Sequence, residues 1–188
     1  MKVNRLWPLL LLVILLSGCG IVEPNSAKKA AAPYRQDPSQ GVFAAKVSAK
    51  QVVKLIREQL PHAQILKVTL KKQGRFYQYH VQARQKKQYY RLSVNAMQPI
   101  ITDQKHTKLS AKNAKREVIS LRGLKSLDQI KQVAISEIND GHLVAYTLDR
   151  QRRITYYDLL IHSRAHHTVR LRIDAKRGNI LERQQVGN

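Results

Sequence analysis

Cysteine is almost missing from this chain. A single Cys19 in 188 residues excludes a disulfide framework and any Cys-based zinc site. Carboxylates are scarce as well, 12 against 34 Lys and Arg, which leaves a formal charge of +22. That imbalance points to anionic surroundings and says nothing about fold. Eight Gly and six Pro are too few for a collagenous or Gly/Pro-rich disordered chain. There is no Gly-rich phosphate loop, no HExxH, no GxSxG and no CxxC, and the few acids form no evident acid–base pair. The sequence therefore reads as non-catalytic, with no cofactor and no metal implied.

Long apolar runs are also lacking. The longest, Leu6 to Leu16, is interrupted by Pro8 and falls short of the ~20 residues a membrane span needs. Behind the positive Lys2 and Arg5 it has the layout of a secretory signal peptide. Leu16-Ser17-Gly18-Cys19 follows and resembles a bacterial lipobox. That resemblance implies cleavage before Cys19, a diacylglycerol on its sulfur, and often a further acyl group such as palmitate on its new amine. Two acyl chains hold a protein stably at a bilayer where one holds it marginally. The expectation is a signal peptide over 1–18 and a chain anchored on the extracytoplasmic side of the cell membrane. Removal of residues 1–18 takes away Lys2 and Arg5 and leaves a charge of +20.

Residues 19–46 are rich in Ala, Pro, Ser, Lys and Gln without a sustained period, and Pro24, Pro33 and Pro38 break any long helix. They read as a tether with a mean reach of about 29 Å, from ~5.5 Å × √n. Beyond it the chain repeats itself. Ser48-x-x-Gln51 answers Ser126-x-x-Gln129, Thr69-Leu70 answers Thr147-Leu148, and Tyr79 answers Tyr157. Arg91-Leu92 then answers Arg170-Leu171, Ala96 answers Ala175, and Ile100 answers Ile180. Each copy opens on a capping box and continues with helical spacing: Val52, Leu55, Ile56, Leu60, then Leu127, Ile130, Val133, Ala134, Ile138. Three stretches of period two follow in each. The predicted fold is α+β: two tandem small modules, 47–102 and 126–188, each one helix on a three-stranded antiparallel sheet. A connector over 103–125 joins them, with a helix over 110–116 and a short strand over 118–121.

The closing run Ile173-Asp174-Ala175-Lys176-Arg177-Gly178-Asn179-Ile180-Leu181, together with Tyr157, resembles the PepSY domain. The resemblance covers roughly 47–102 and 127–184. The first copy keeps Tyr79, Val94 and Ala96 but has Asn95 in place of Asp and no Gly after it. The family implies an extracytoplasmic, non-catalytic module that restrains or assists peptidases. From the residues themselves, Asp174 is expected to accept from turn amides and Gly178 to take positive φ, which shapes a strand exit without touching a ligand.

Further features bear on function. His162, His166 and His167 stand close together, but with no acidic or Cys neighbour they read as a surface loop. Tyr79 and His80 alternate on one strand and so face opposite ways. If one sheet face is left bare, Ile154, Tyr156, Leu160, Arg170 and Arg172 form a candidate protein contact there. The alternative is that the two modules pack together on that face. Lys67, Lys71, Lys72, Arg91, Arg150, Arg152 and Arg153 are the candidate contact for a polyanion, such as a wall polymer or anionic lipid. Specific nucleic-acid recognition is not expected, because no recognition motif is present and aromatics make up only 6%.

Overall fold

A computed structural model of the chain describes residues 42, 45–138, 141–163 and 167–186. The predicted signal peptide, Cys19 and nearly all of the predicted tether lie outside the described residues.

Ser48 caps helix α1 (Ala49–Gln59). Its hydroxyl accepts from the Gln51 amide, and the Gln51 side chain accepts from the Ser48 amide at 2.8 Å. Ser126 and Gln129 repeat this arrangement ahead of α3 (Leu127–Ile138). Both are the capping boxes that the spacing predicts. Val52, Val53 and Ile56 of α1, and Ile130 and Ala134 of α3, point into the core.

The strands are β1 (Gln64–Gln73), β2 (Phe76–Gln85), β3 (Gln88–Asn95), β4 (Ile101–Lys108), β5 (His142–Gln151), β6 (Ile154–His162), β7 (Thr168–Asp174) and β8 (Ile180–Gln185). A four-residue helix α2 (Ala111–Ala114), capped by Ser110, sits between the halves. All eight strands form one antiparallel sheet in the order β4-β3-β2-β1-β5-β6-β7-β8.

This corrects the expected fold. There are not two tandem modules with separate three-stranded sheets, because each half contributes four strands and β1 pairs directly with β5. Two inner edges that would otherwise leave rows of unpaired amides and carbonyls satisfy each other. The fourth strand of each half escaped the periodicity reading for a physical reason. Ile-Thr-Asp-Gln-Lys-His-Thr-Lys (β4) and Ile-Leu-Glu-Arg-Gln-Gln (β8) are almost wholly exposed and carry no apolar–polar alternation. The connector is corrected accordingly: it opens within β4, and 118–121 is not a strand, although the Ile119 amide donates to the Ile65 carbonyl.

The β1–β5 ladder aligns Lys67 with Asp149, Thr69 with Thr147 and Lys71 with Ala145. Thr69 and Thr147 are 78 residues apart and are also the matching positions of the sequence repeat. A pseudo-twofold axis therefore passes between them. The rest of the fold obeys it. The Tyr79 hydroxyl donates to the Val47 carbonyl at 2.6 Å, and the Tyr157 hydroxyl to the Lys125 carbonyl at 3.1 Å; in each half this is the residue before the helix cap. The Ala96 carbonyl accepts from the Val47 amide as the Ala175 carbonyl accepts from the Lys125 amide. Asn95 Oδ1 accepts from the Met97 and Gln98 amides, and Asp174 Oδ1 from the Lys176 and Arg177 amides. Asn95 thus does in the first half what Asp174 does in the second. Gly178 takes φ +85° in the second turn, as expected.

One face of the sheet carries the core. Val68, Leu70, Tyr79, Val81, Leu92, Val94, Tyr146, Leu148, Leu159, Leu171 and Ile173 are buried beneath the two longer helices.

Candidate docking face

The opposite face presents the alternate residues of every strand. In the first half these are Lys67, Thr69 and Lys71, then Gln78, His80 and Gln82, then Tyr89, Arg91 and Ser93, then Asp103 and Lys105. In the second half they are Thr147 and Asp149, then Tyr156, Asp158 and Leu160, then Arg170 and Arg172, then Glu182. The halves join side by side, so they do not cover this face by packing against each other. The stretch after β4 folds over part of it. The Arg84 guanidinium donates to the Ala114 carbonyl, and Arg116 donates to Gln82 and, at 2.9 Å, to Asp149.

The structure brings Tyr156, Leu160, Arg170 and Arg172 together as the strand register requires, with Leu160 opposite Arg170. They do not form the loose apolar patch that the sequence suggests. The Arg172 guanidinium lies 4.7 Å from the Tyr156 ring centroid, and Tyr156 is only 8% exposed. Asp158 stands 3.0 Å from Arg170 and 3.7 Å from Arg172, while Glu182 reaches Arg172 at 2.6 Å. Burial raises the Tyr156 phenol above its usual range, with Asp149 adding to the effect and Arg172 opposing it. Ile154, at the start of β6, remains exposed. The result is a rigid surface of an aromatic ring, a stacked guanidinium and held carboxylates, a composition typical of binding hot spots. Asp158 could have been found in the sequence, since it alternates with Tyr156 and Leu160. Arg116 and Glu182 could not, because they arrive from segments with no periodic signal.

The candidate polyanion residues fall into two groups. Lys67, Lys71, Lys72 and Arg91 belong to the first half, and among the described residues none of them forms an ion pair. Arg150, Arg152 and Arg153 lie at the β5–β6 turn, at the other end of the sheet because β1 and β5 run antiparallel. There Arg150 is held 3.3 Å from Glu117, and the Arg153 amide donates to the same carboxylate at 2.9 Å. The first half of the face is therefore basic, while in the second the strand arginines Arg170 and Arg172 are paired and Arg152 and Arg153 stay exposed at the turn.

Tyr79 and His80 face opposite ways, Tyr79 into the core and His80 onto the bare face. His80 Nδ1 stands 3.4 Å from Ser93 Oγ, and its Nε2 has no partner among the described residues. Burial and, second, Lys71 lower the pKa of His80. A nucleophile–base pair is commonly oriented by a third group, and among the described residues none bonds the other nitrogen of this ring. His162 and His167 contact Thr168 and Gln185, and His166 lies outside the described residues. Among the described residues no group of three His, Cys, Asp or Glu could hold a metal.

On the helix side, a cleft of about 500 Å³ opens near the pseudo-twofold axis. Tyr79, Tyr146 and Tyr157 line it together with the lead-ins to α1 and α3. Tyr146 donates to Tyr79 at 3.2 Å, and the three rings stack edge-on in sequence. Burial pushes Tyr79 and Tyr157 up to about 12. The Tyr79 and Tyr157 hydroxyls hold the helix lead-ins in place.

No protein-family model and no curated protein matches the chain. Among solved structures, it is similar to the crystal structure of a candidate lipoprotein from Clostridium difficile 630, with a TM-score of 0.69 at 20% identity. The match covers 75% of this chain and 94% of that one. At that identity the likeness is one of fold.

Proposed function

We propose that this chain is an exported, lipid-anchored envelope protein that acts without catalysis, its bare sheet face serving as the binding surface for another extracytoplasmic protein. The observation that carries this reading is the Arg172–Tyr156 stack held by Asp158 and Glu182 on the face that neither longer helix covers. Rigid aromatic and arginine groups lose little entropy on contact and dominate many interfaces. The anchor rests on the lipobox at Cys19, and the name of the similar solved structure agrees with it. The finer reading, two PepSY-like modules merged into one sheet, is supported by the paired roles of Tyr79 and Tyr157 and of Asn95 and Asp174. With it comes a peptidase as the partner class, restrained or assisted by this protein.

A second reading has its own observation. Lys67, Lys71 and Arg91 share the first half of the face and form no ion pair among the described residues, which favours an anionic wall polymer or lipid. Salt separates the two. The mature chain, immobilised and exposed to envelope extract, is eluted in salt steps. Retention of one discrete protein through ~1 M salt, where the Debye length is about 3 Å, with loss on Arg172→Glu, supports the protein-binding reading. Release of polymer and lipid alone at moderate salt sinks it. A retained peptidase is then assayed with and without the chain; unchanged turnover removes the modulator role.

A further inference from the structure

We propose that the corner formed by the β1–β2 hairpin and the start of β4 is a membrane-docking surface, which seats the domain on the anionic leaflet that holds its own anchor. The choice of leaflet rests on the lipidation reading above; the chemistry of the corner does not.

Phe76 and Ile100 are 40% and 53% exposed, the two large apolar side chains left open in the first half among the described residues. They lie at the same end of the sheet. Phe76 closes the hairpin opposite Gln73, the Ala96 amide donates to the Tyr77 carbonyl, and the Asn95 amide donates to the Ile100 carbonyl. Around them stand the exposed Lys71, Lys72 and Arg75. No carboxylate occurs between Glu58 and Asp103, a stretch with eight Lys and Arg. Asp103 itself lies 3.7 Å from Lys105. The chain also arrives here from the Cys19 side, since the Lys46 and Val47 amides both donate to the Ala96 carbonyl.

The corner related by the pseudo-twofold axis supplies an internal contrast. Ile154 and Ile180 occupy the places of Phe76 and Ile100 and are also exposed. There, however, Glu117 holds Arg150 and the Arg153 amide, and the corner lies at the far end of the sheet. The residue 78 positions before Glu117 is Ser39, which carries no charge. One corner therefore has one arginine paired with Glu117, keeps Arg152 and Arg153 exposed, and is remote from the incoming chain. The other holds Lys71, Lys72 and Arg75 with no ion pair among the described residues and lies beside it. A soluble polyanion would need the charge alone. Exposed Phe and Ile ringed by cations suit a headgroup layer, where apolar tips enter and cations stay at the surface.

The test uses the chain from residue 19 with Cys19→Ser, so that no lipid contributes. The one tryptophan, Trp7, lies before this segment, and a new Trp is therefore a sole reporter. With Phe76→Trp, phosphatidylglycerol–phosphatidylcholine vesicles should shift the emission to the blue, whereas polyphosphate in solution should not. Ile154→Trp should stay unmoved. Joint replacement of Lys71, Lys72 and Arg75 by Ala should weaken vesicle binding roughly a hundredfold, from the contribution expected per cation near an anionic surface. Ile100→Trp repeats the readout should Phe76→Trp unfold. An equal shift at position 154, no shift at 76 or 100, or the same shift with polyphosphate would each overturn the proposal. Palmitate labelling of the full chain, with and without Cys19→Ser, tests the anchor separately; an unlabelled chain that still docks would leave the corner standing and remove the lipidation reading.

Discussion

Thr69 and Thr147 face each other across the central ladder with their hydroxyl oxygens 3.0 Å apart, and each is the other's counterpart in the sequence repeat. This contact holds the two halves in register on the pseudo-twofold axis. Because the β1–β5 ladder and a shared core run through it, the chain should unfold as one unit. Urea unfolding followed by far-ultraviolet circular dichroism and by tyrosine fluorescence should give coincident transitions. Two separated transitions would mean that the halves are independent after all.

The hydroxyl pair itself should be worth little. Thr69→Val leaves one half-buried hydroxyl without its partner and should cost about 1 kcal/mol. The double variant with Thr147→Val should cost less than the sum of the two single changes, since no orphan remains. Urea midpoints of the four proteins in the cycle give the answer.

Tyr79 and Tyr157 hold equivalent positions but differ in how much depends on them. The Tyr79 hydroxyl donates to Val47 and accepts from Tyr146, in a buried setting, whereas Tyr157 makes a single half-buried bond to Lys125. Tyr79→Phe should therefore cost about 2–3 kcal/mol and Tyr157→Phe about 1 kcal/mol. Equal losses would count against this account of the lead-ins.

The same two phenols make the protein sensitive to alkali. Both have folded pKa values raised to about 12, chiefly by burial, against the ordinary 10. The unfolded chain therefore releases these protons first. Their contribution is whole below pH 10 and is lost as pH climbs from 10 towards 12, by roughly 2–3 kcal/mol for each group. Stability measured by urea across that window should fall, and Tyr157→Phe should blunt the fall.

Asn95 and Asp174 cap equivalent turns through one side-chain oxygen each. Asp174→Asn keeps that acceptor and should change stability by less than about 1 kcal/mol, while Asp174→Ala should cost about 1–2 kcal/mol. Thermal unfolding of the three proteins separates a turn-shaping role from a requirement for negative charge.

The repeat, the capping boxes and the six strands of period two were legible in the sequence because each buries one face and so must alternate. β4 and β8 were not, since an edge strand with both faces wet has no pattern to show. The union of the halves was hidden for a related reason. Thr69, Lys67, Thr147 and Asp149 lie on the bare side of β1 and β5, and nothing in those residues separates a free edge from a paired one. At the candidate site, Tyr156, Leu160, Arg170 and Arg172 followed from alternation alone. The pairing of Arg172 with Glu182 and of Asp149 with Arg116 did not. Glu182 sits on a strand with no alternation and Arg116 comes from the segment between the halves, and such charges meet only once the topology is known.

The self-matching register at Thr69 also says something about a shorter chain. A fragment ending after β4 would expose the outer side of β1, and the symmetry of the ladder lets that strand accept a copy of itself with Thr69 against Thr69. Such a half would assemble as a twofold dimer at a concentration-dependent cost. Joining two halves in one polypeptide turns that association into an intramolecular event. It also frees the halves from remaining alike: one can keep its corner positive while the other acquires Glu117, so a duplicated ancestor becomes a molecule with two different ends.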